Sequence, residues 1–161
     1  MRYSDVKETV IAQLKAPNGN SVIHYIEGAP GGGKSACAMD IAKELGFNGE
    51  KYPLPFQFFA SLRDSVDIAG TPRNDGEVTR WIPPIEFYRM QKGPQFLIVE
   101  ELSDANTAVQ NAMCGVFHDR KINDLHLSPE LRIIATGNRT KDKSGASRLV
   151  SKMANRVRRI E

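Results

Sequence analysis

The stretch Gly28-Ala29-Pro30-Gly31-Gly32-Gly33-Lys34-Ser35 decides the fold of this 161-residue chain. It fits the pattern G-x-x-x-x-G-K-[ST], in which the glycines let successive backbone N–H groups point at one anion. The apolar residues 22–26 before it predict a β-strand, and residues 36–45 after it have a helical pattern that Gly46 closes. A strand, a glycine loop and a helix in that order predict a phosphate-binding loop, because a helix N-terminus favours anions.

This loop predicts that the chain binds a nucleoside triphosphate. Lys34 is expected to reach the β- and γ-phosphates, and the Ser35 hydroxyl is expected to bind Mg²⁺. The predicted cofactors are therefore a nucleoside triphosphate and Mg²⁺. The predicted nucleotide-binding residues are those of the loop and the start of the helix: Gly28, Ala29, Pro30, Gly31, Gly32, Gly33, Lys34, Ser35 and Ala36.

The composition indicates an ordinary globular protein. Hydrophobic residues make up 40% of the chain and charged residues 25%, which argues against wholesale disorder. The length suits one domain, so residues 1–161 are interpreted as a single nucleotide-binding core. The net charge of +3 is too small to indicate nucleic acid by itself.

The expected location is the cytoplasm, with no membrane partner. Cys37 and Cys114 both lie in apolar helical patterns, so we interpret them as small buried residues in a reducing compartment. The N-terminus lacks the apolar region of a signal peptide, and no apolar run approaches the thickness of a bilayer.

Strand and helix patterns alternate along the chain. Strands are predicted at 22–26, 54–60, 96–99, 132–136 and 157–160, and helices at 5–16, 36–45, 84–91, 108–118 and 148–155. Asp5 and Glu8 resemble a capping box. Residues 66–72 and 77–81 flank a turn, which predicts a hairpin in the insert 61–83, and 122–127 predicts a smaller one. We expect Trp81 and the aromatic residues Phe56, Phe58 and Phe59 to belong to the core.

This alternation predicts an α/β fold, a P-loop NTPase three-layer sandwich. Its sheet is expected to be mostly parallel and five-stranded, with helices on both faces and small β-hairpin inserts. The short continuous apolar run at 96–99 is typical of a strand that is buried on both faces of such a sheet.

Two adjacent carboxylates end that buried strand. Hydrolysis of a triphosphate needs a metal held opposite the loop and a group that orients the attacking water. We expect Glu100 to face Mg²⁺ and Glu101 to act on the water. The alternative is that the pair only opens the next helix, near its positive end.

Asn138 ends a second buried strand, in the sequence Ala-Thr-Gly-Asn. Ligands of parallel sheets bind at the carboxyl ends of the strands, which places Asn138 at the same edge as Glu100 and Glu101. Its amide is expected to position water or to contact the γ-phosphate. In isolation, Gly-Asn is more often a plain turn.

The positive charge is concentrated near the C-terminus, where only Glu161 opposes it. Such clusters bind nucleic acid or a partner's phosphates, or form a solvated basic face, and the sequence leaves these alternatives open. The cluster comprises Arg148, Lys152, Arg156, Arg158 and Arg159.

Together these segments resemble an AAA+ ATPase, most closely the MoxR-like or dynein-related branch that includes many phage and bacterial ATPases. Residues 28–35 resemble its Walker A motif, 96–101 Walker B, 133–138 sensor 1 and 147–157 the arginine-finger region. Residues 66–72 are similar to the start of the helix-2 insert, and residues 117–122 to the start of the pre-sensor-1 hairpin. The matches cover most of residues 20–161 in the family's order.

The resemblance implies an ATPase that forms a homo-oligomeric ring, usually of six subunits, with ATP at each subunit interface. Arg156 matches the family's arginine finger, which stabilises transition-state charge in the neighbouring subunit. Arg158 and Arg159 are the alternatives for that role.

Two departures from the family pattern affect these expectations. Glu100 stands where the family usually has Asp, which shifts the geometry and predicts slow hydrolysis. The sequence stops at Glu161, about where the α/β core finishes, so the helical lid subdomain with its sensor-2 arginine is expected to be missing.

The leading interpretation is an ATP-driven subunit that remodels an unidentified protein or assembly client through the inserts 61–83 and 117–128. The alternative is a nucleotide-dependent binding module with weak or no hydrolysis that grips nucleic acid or a partner protein. A small-molecule kinase is a weaker third reading, because such kinases usually carry an arginine-rich lid over the acceptor.

Overall fold

The computed structural model describes residues 2–139 and 149–161 of the chain. The helices are α1 (Tyr3–Lys15), α2 (Lys34–Glu44), α3 (Val66–Ala69), α4 (Ile85–Arg89), α5 (Thr107–His118) and α6 (Ser151–Ala154). The strands are β1 (Ile23–Gly28), β2 (Phe56–Phe59), β3 (Thr71–Asn74), β4 (Thr79–Ile82), β5 (Gln95–Glu100), β6 (Lys121–Ile122), β7 (Leu125–His126), β8 (Leu131–Asn138) and β9 (Val157–Ile160). None of the described helices is long and apolar enough to cross a membrane.

The central sheet has five strands in the order β2-β5-β8-β1-β9, and every neighbouring pair is parallel. The predicted fold class is therefore confirmed. Gly28 lies opposite Asn138, so β1 and β8 end at the same edge of the sheet. Ile23, at the start of β1, lies opposite Val157. Strand β9 therefore begins at the opposite edge, which the amino ends of the strands form.

Two apolar clusters cover the two faces of this sheet and give three layers. Phe96 and Ile98 pack with the apolar sides of α1 and α2. Leu97 and Val99 belong to the other cluster, with α5 and the small hairpin of β6 and β7. Since successive strand residues point to opposite faces, burial on both sides explains the continuous apolar run of β5.

Helix α1 extends the layer that α2 forms. It begins earlier than predicted, with Arg2 as its cap, and the Arg2 backbone N–H donates to the Asp5 carboxylate at 3.3 Å. This contact replaces the predicted Asp5–Glu8 box. The Tyr3 hydroxyl donates to Asp40 at 2.7 Å and so ties α1 to α2.

The insert between β2 and α4 differs in part from its prediction. Residues 66–69 form α3, and the antiparallel hairpin consists only of β3 and β4. Gly70 connects α3 to β3 with a φ of +83°. A Cβ at this position would lie 1.9 Å from the carbonyl oxygen of Ile82. The prediction that Trp81 belongs to the core is wrong, because this residue lies on β4 with half of its surface exposed.

The remaining elements agree with their predictions apart from their ends. The strand predicted at 54–60 narrows to β2, since Pro53 and Pro55 precede the paired residues. Phe58 is buried there, whereas Phe59 is 40% exposed. Of the helix predicted at 148–155, the described part is α6, and Arg148 together with residues 140–147 lies outside the described residues.

Candidate nucleotide site

The glycine loop connects β1 to α2 over the edge of the sheet. Gly31 and Gly33 both have a φ of +74°, a conformation that side-chain-bearing residues rarely adopt. The loop lines a cavity of about 200 Å³ together with the first turn of α2. The opposite wall consists of Glu101, Thr136, Gly137 and Asn138.

Lys34 lies across this cavity. Its Nζ donates to the carbonyl oxygens of Gly28 at 3.2 Å and Ala29 at 2.8 Å, and to Asn138 Oδ1 at 3.0 Å. The structure thus holds the ammonium group between the loop and the end of β8. An oxygen of a bound phosphate would be a charged acceptor in place of these neutral ones, and the attraction between opposite charges would then add to the hydrogen bond.

Glu100 is fully buried at the end of β5. Its Oε2 accepts hydrogen bonds from the Ser35 hydroxyl at 2.8 Å and from the Thr136 hydroxyl, while Gln57 Nε2 lies 3.5 Å from Oε1. Ser35 comes from α2, Gln57 from β2 and Thr136 from β8. The structure therefore brings together the two predicted metal residues, Ser35 and Glu100.

The chemistry of these donors fits Mg²⁺. A hydroxyl and a carboxylate supply the oxygen ligands that Mg²⁺ prefers, and proteins usually complete its shell with water and substrate phosphates. The described residues contain no group of three or more His, Cys, Asp or Glu side chains that could hold a metal ion. A magnesium ion that arrives with a triphosphate would need only a partial protein shell, such as Ser35 and Glu100 offer.

Glu101 follows at the mouth of the cavity, where its side chain is exposed. Its φ of +55° is left-handed, which is uncommon for a residue other than glycine. The backbone N–H of Glu101 donates to Thr136 Oγ1 at 3.3 Å, and its carboxylate accepts a hydrogen bond from the Ser61 hydroxyl. These two contacts fix the backbone and the side chain of the acid.

Asn138 has a fixed amide orientation. Its oxygen accepts from Lys34, and its Nδ2 donates to Asp104 Oδ2 at 2.8 Å. Asp104 Oδ1 is buried and has no hydrogen-bond partner in the described part of the chain. Loss of hydration raises the pKa of Asp104, and the hydrogen bond from Asn138 opposes that rise.

A hydrogen bond with Ser103 fixes the backbone at Asn138. Its N–H donates to Ser103 Oγ at 2.8 Å, and Ser103 also has a hydrogen bond with the Tyr25 hydroxyl. Burial raises the pKa of Tyr25 to about 12. A Cβ at Gly137 would lie 1.9 Å from that hydroxyl, so the glycine lets β8 pass close over Tyr25.

Arg156 does not belong to this cluster. It is exposed and directly precedes Val157, which pairs with Ile23 at the start of β1, whereas the glycine loop follows the end of β1. It lines a different cavity of about 510 Å³, together with Cys114, His118 and Lys152. The structure thus places Arg156 on the opposite edge of the sheet from Lys34.

Four residues of the site escaped the sequence analysis: Gln57, Ser61, Asp104 and Thr136. Each acts through a contact with a distant part of the chain, for example Ser61 with Glu101 and Asp104 with Asn138. Thr136 carried a signal, since it is a polar residue in the otherwise apolar run 133–136. A buried polar side chain needs a hydrogen-bond partner, which here is a carboxylate.

A parallel sheet with helices on both faces, a glycine loop at the start of a helix, and two acids at the end of β5 define a P-loop NTPase fold. The model of the AAA domain family, dynein-related subfamily, matches residues 24–157. The chain belongs to this family. The comparison with curated proteins found no match.

The chain is also similar to solved structures of RuvB from Thermotoga maritima. One, described as a Holliday junction branch migration motor, is 21% identical, with a TM-score of 0.61 and coverage of 99% of this chain and 44% of that one. Two point variants of the same protein are 19% and 20% identical, with TM-scores of 0.64 and 0.62. They cover 100% and 96% of this chain and 46% and 43% of their own chains. Similarity at this level concerns the fold, and the chain spans less than half the length of these proteins.

Proposed function

We propose that this chain is an ATP-binding and ATP-hydrolysing subunit, with residues 1–161 acting as one nucleotide-binding core. The observation that carries the proposal is the convergence of Lys34, Ser35 and Asn138 on one cavity beside the glycine loop, with the buried Glu100 bonded to Ser35. These side chains come from three different elements. Their convergence at the carboxyl edge of a parallel sheet supports a common task on a phosphate group.

In this proposal, the residues 28–36 hold the triphosphate through backbone N–H groups, and Lys34 balances its charge. Ser35 and Glu100 hold Mg²⁺, which would neutralise charge that develops between the β- and γ-phosphates. Glu101 accepts a proton from the attacking water or orients it, because its exposed carboxylate lies at the cavity mouth. Asn138 orients the same water or the terminal phosphate.

The proposed assembly is a homo-oligomeric ring in which Arg156 acts on the nucleotide of a neighbouring subunit. Its position at the opposite edge of the sheet supports this, because Arg156 lies far from the loop of its own chain. Arg158 and Arg159 are also exposed and stay alternatives for the role. A trans-acting arginine supplies several orders of magnitude in rate in related phosphoryl-transfer enzymes.

The inserts offer the surface for a protein client. The hairpin of β3 and β4 is exposed along its whole length, and Trp81 presents an aromatic side chain there. We therefore propose a MoxR-like remodelling role in which nucleotide turnover moves this hairpin against a client protein. We also propose a cytoplasmic location, which the free thiols of Cys37 and Cys114 support.

The experiment that tests nucleotide binding is titration calorimetry with ATP, ADP and GTP in the presence of Mg²⁺. We expect wild type to bind ATP and Lys34→Ala to lose at least about tenfold in affinity, since each charged hydrogen bond contributes about 1.5–3 kcal/mol. Lys43→Ala, at the far end of α2, is the matched control and should bind as wild type does. Absence of any heat with wild type would overturn the proposal.

A binding module with little turnover is the second candidate. Exposed Lys152, Arg156 and Arg158 near the C-terminus favour it, since basic side chains bind phosphate backbones. RuvB is described as a motor on Holliday junctions, so a junction and a linear duplex are suitable probes. ATP-dependent DNA binding without phosphate release would support this candidate, and phosphate release without DNA binding would support the remodelling subunit.

A further inference from the structure

One hydroxyl contacts both acids of the site. Thr136 is 1% exposed and lies in β8, one residue beyond the pair formed by Val99 and Ala135. That position puts its side chain beside the end of β5. A threonine hydroxyl has one proton to donate and lone pairs to accept, and both capacities are used here.

The two contacts reach consecutive residues of the chain. The Thr136 hydroxyl donates to Glu100 Oε2, the same oxygen that accepts from Ser35 at 2.8 Å. Thr136 Oγ1 also accepts the backbone N–H of Glu101 at 3.3 Å. A single side chain from β8 therefore fixes the carboxylate of one acid and the backbone of the next.

Both acids need such a support. A glutamate has one more rotatable bond than an aspartate, so a single orientation of the Glu100 carboxylate costs more conformational entropy. Glu101 has a φ of +55°, and a left-handed backbone at such a residue costs about 1 kcal/mol or more. Strained residues of this kind persist only where the surroundings hold them in place.

We infer that Thr136 is a positioning residue of the phosphoryl-transfer site, one that sets the Glu100 carboxylate for the metal and aims Glu101 at the cavity. The inference rests on the proposed function. It also gives a reason why a glutamate can serve at position 100, because Thr136 and Ser35 both hold the end of the longer side chain. Thr136 itself touches no reacting atom in this assignment.

The test compares Thr136→Val, which keeps the shape and removes the hydroxyl, with Thr136→Ser, which keeps the hydroxyl. For each variant, ATP affinity is measured by calorimetry across a series of Mg²⁺ concentrations, and kcat by phosphate release. Loss of a partner that orients a metal ligand typically costs 10–100-fold in metal affinity. We expect Thr136→Val to need about tenfold more Mg²⁺ for half-maximal binding, and Thr136→Ser to stay within about threefold of wild type.

Thr107→Val is the matched control, because Thr107 is exposed at the start of α5. It should leave both the Mg²⁺ dependence and kcat unchanged. Thermal unfolding of every variant distinguishes a loss of packing from a loss of positioning. Lost packing alone would lower the melting temperature without changing the Mg²⁺ dependence. If Thr136→Val does not fold, Thr136→Ala replaces it in the same comparison.

The inference is overturned if Thr136→Val binds ATP with the wild-type Mg²⁺ dependence and turns over at the wild-type rate. It is also overturned if Thr136→Ser is as impaired as Thr136→Val, because the methyl group rather than the hydroxyl would then matter. These results would leave the proposed function intact. A wild-type chain that binds no ATP at any Mg²⁺ concentration would instead overturn the proposed function itself.

Discussion

Glu101 combines a strained backbone with an exposed carboxylate, and its neighbour Glu100 has the opposite environment. Glu100 is fully buried and accepts hydroxyl hydrogen bonds, whereas Glu101 reaches solvent at the mouth of the cavity. A buried, hydrogen-bonded carboxylate suits a fixed metal ligand, and an accessible one suits contact with water. These environments support the proposed roles of the two acids, Glu100 with the metal and Glu101 with the attacking water.

Glu101→Gln tests this division. A glutamine keeps the size and the hydrogen-bond acceptor but is not a base, so we expect kcat for phosphate release to fall at least about 100-fold. ATP affinity should stay within about threefold of wild type, because the side chain is not needed to hold the phosphates. Glu130→Gln, exposed at the start of β8, is the control and should change neither quantity. Unchanged turnover in Glu101→Gln would remove Glu101 from the reaction.

Among single residues, the candidate site residues that the sequence predicts are those whose neighbours along the chain carry the information. The glycine loop and Lys34 are local, since the pattern, the preceding strand and the following helix are contiguous. Ser61 and Asp104 could not be found, because each meets its partner through a contact across the folded chain. Only the register of β5 against β8 brings Thr136 to Glu100, and that register cannot be read from a single sequence.

Strand β1 contains a fully buried histidine that connects the sheet to α1. His24 Nε2 and Gln13 Oε1 are 2.7 Å apart, and Nδ1 has no hydrogen-bond partner among the described residues. Burial, together with the smaller effect of the positive charge of Arg158, lowers the pKa of His24 to about 4. The neutral imidazole is therefore the form that the folded sheet accommodates.

This predicts a pH-dependent stability of the fold. Above pH 6.5, His24 is neutral in the folded and the unfolded chain and does not change the free energy of unfolding. Below pH 6.5, His24 binds a proton in the unfolded chain but stays neutral in the folded chain. The resulting loss of unfolding free energy develops between pH 6.5 and about 4 and reaches about 3 kcal/mol, at 1.36 kcal/mol per pKa unit.

Urea unfolding of wild type and His24→Gln over this pH range measures the effect. The variant should be less stable at pH 7 but should lose less stability on acidification than wild type does. His126→Gln, at an exposed histidine of β7, should retain the wild-type pH dependence. Parallel curves for wild type and His24→Gln would show that His24 takes up its proton equally in both states.

The elements themselves were largely predictable, because periodicity reports burial. The run 96–99 and the strand at 157–160 are where the apolar pattern placed them. Residues 66–69 were misassigned, since their β-branched residues favour a strand while the backbone closes a helical turn from Val66 O to Gly70 N at 2.8 Å. The prediction of Trp81 as a core residue rests on its hydrophobicity. Hydrophobic residues also occur at the surface, and Trp81 lies on an exposed hairpin.

In the whole molecule, the loop and Arg156 lie at opposite ends of the sheet. The strand β1 separates them by its length, from Ile23 beside Val157 to Gly28 at the loop, or roughly 17 Å of parallel strand. An arginine at that distance cannot touch a phosphate held by its own chain. A repeated head-to-tail contact between subunits would bring the arginine of one chain to the loop of the next, and such contacts form a ring when the rotation between subunits closes.

Mixing two inactive variants tests this arrangement. Arg156→Ala has an intact loop but no finger, and Lys34→Ala has an intact finger but an impaired loop, so each alone should have little phosphate release. In an equal mixture, a quarter of the interfaces join an intact loop to an intact finger, and we expect about a quarter of the wild-type rate. Light scattering with ATP and Mg²⁺ checks that mixed assemblies form. If Arg156 is the finger, Arg158→Ala, at the next exposed arginine, should release phosphate without being mixed with a second variant. Mixed assemblies of Arg156→Ala and Lys34→Ala that form but stay inactive would contradict a role of Arg156 in trans.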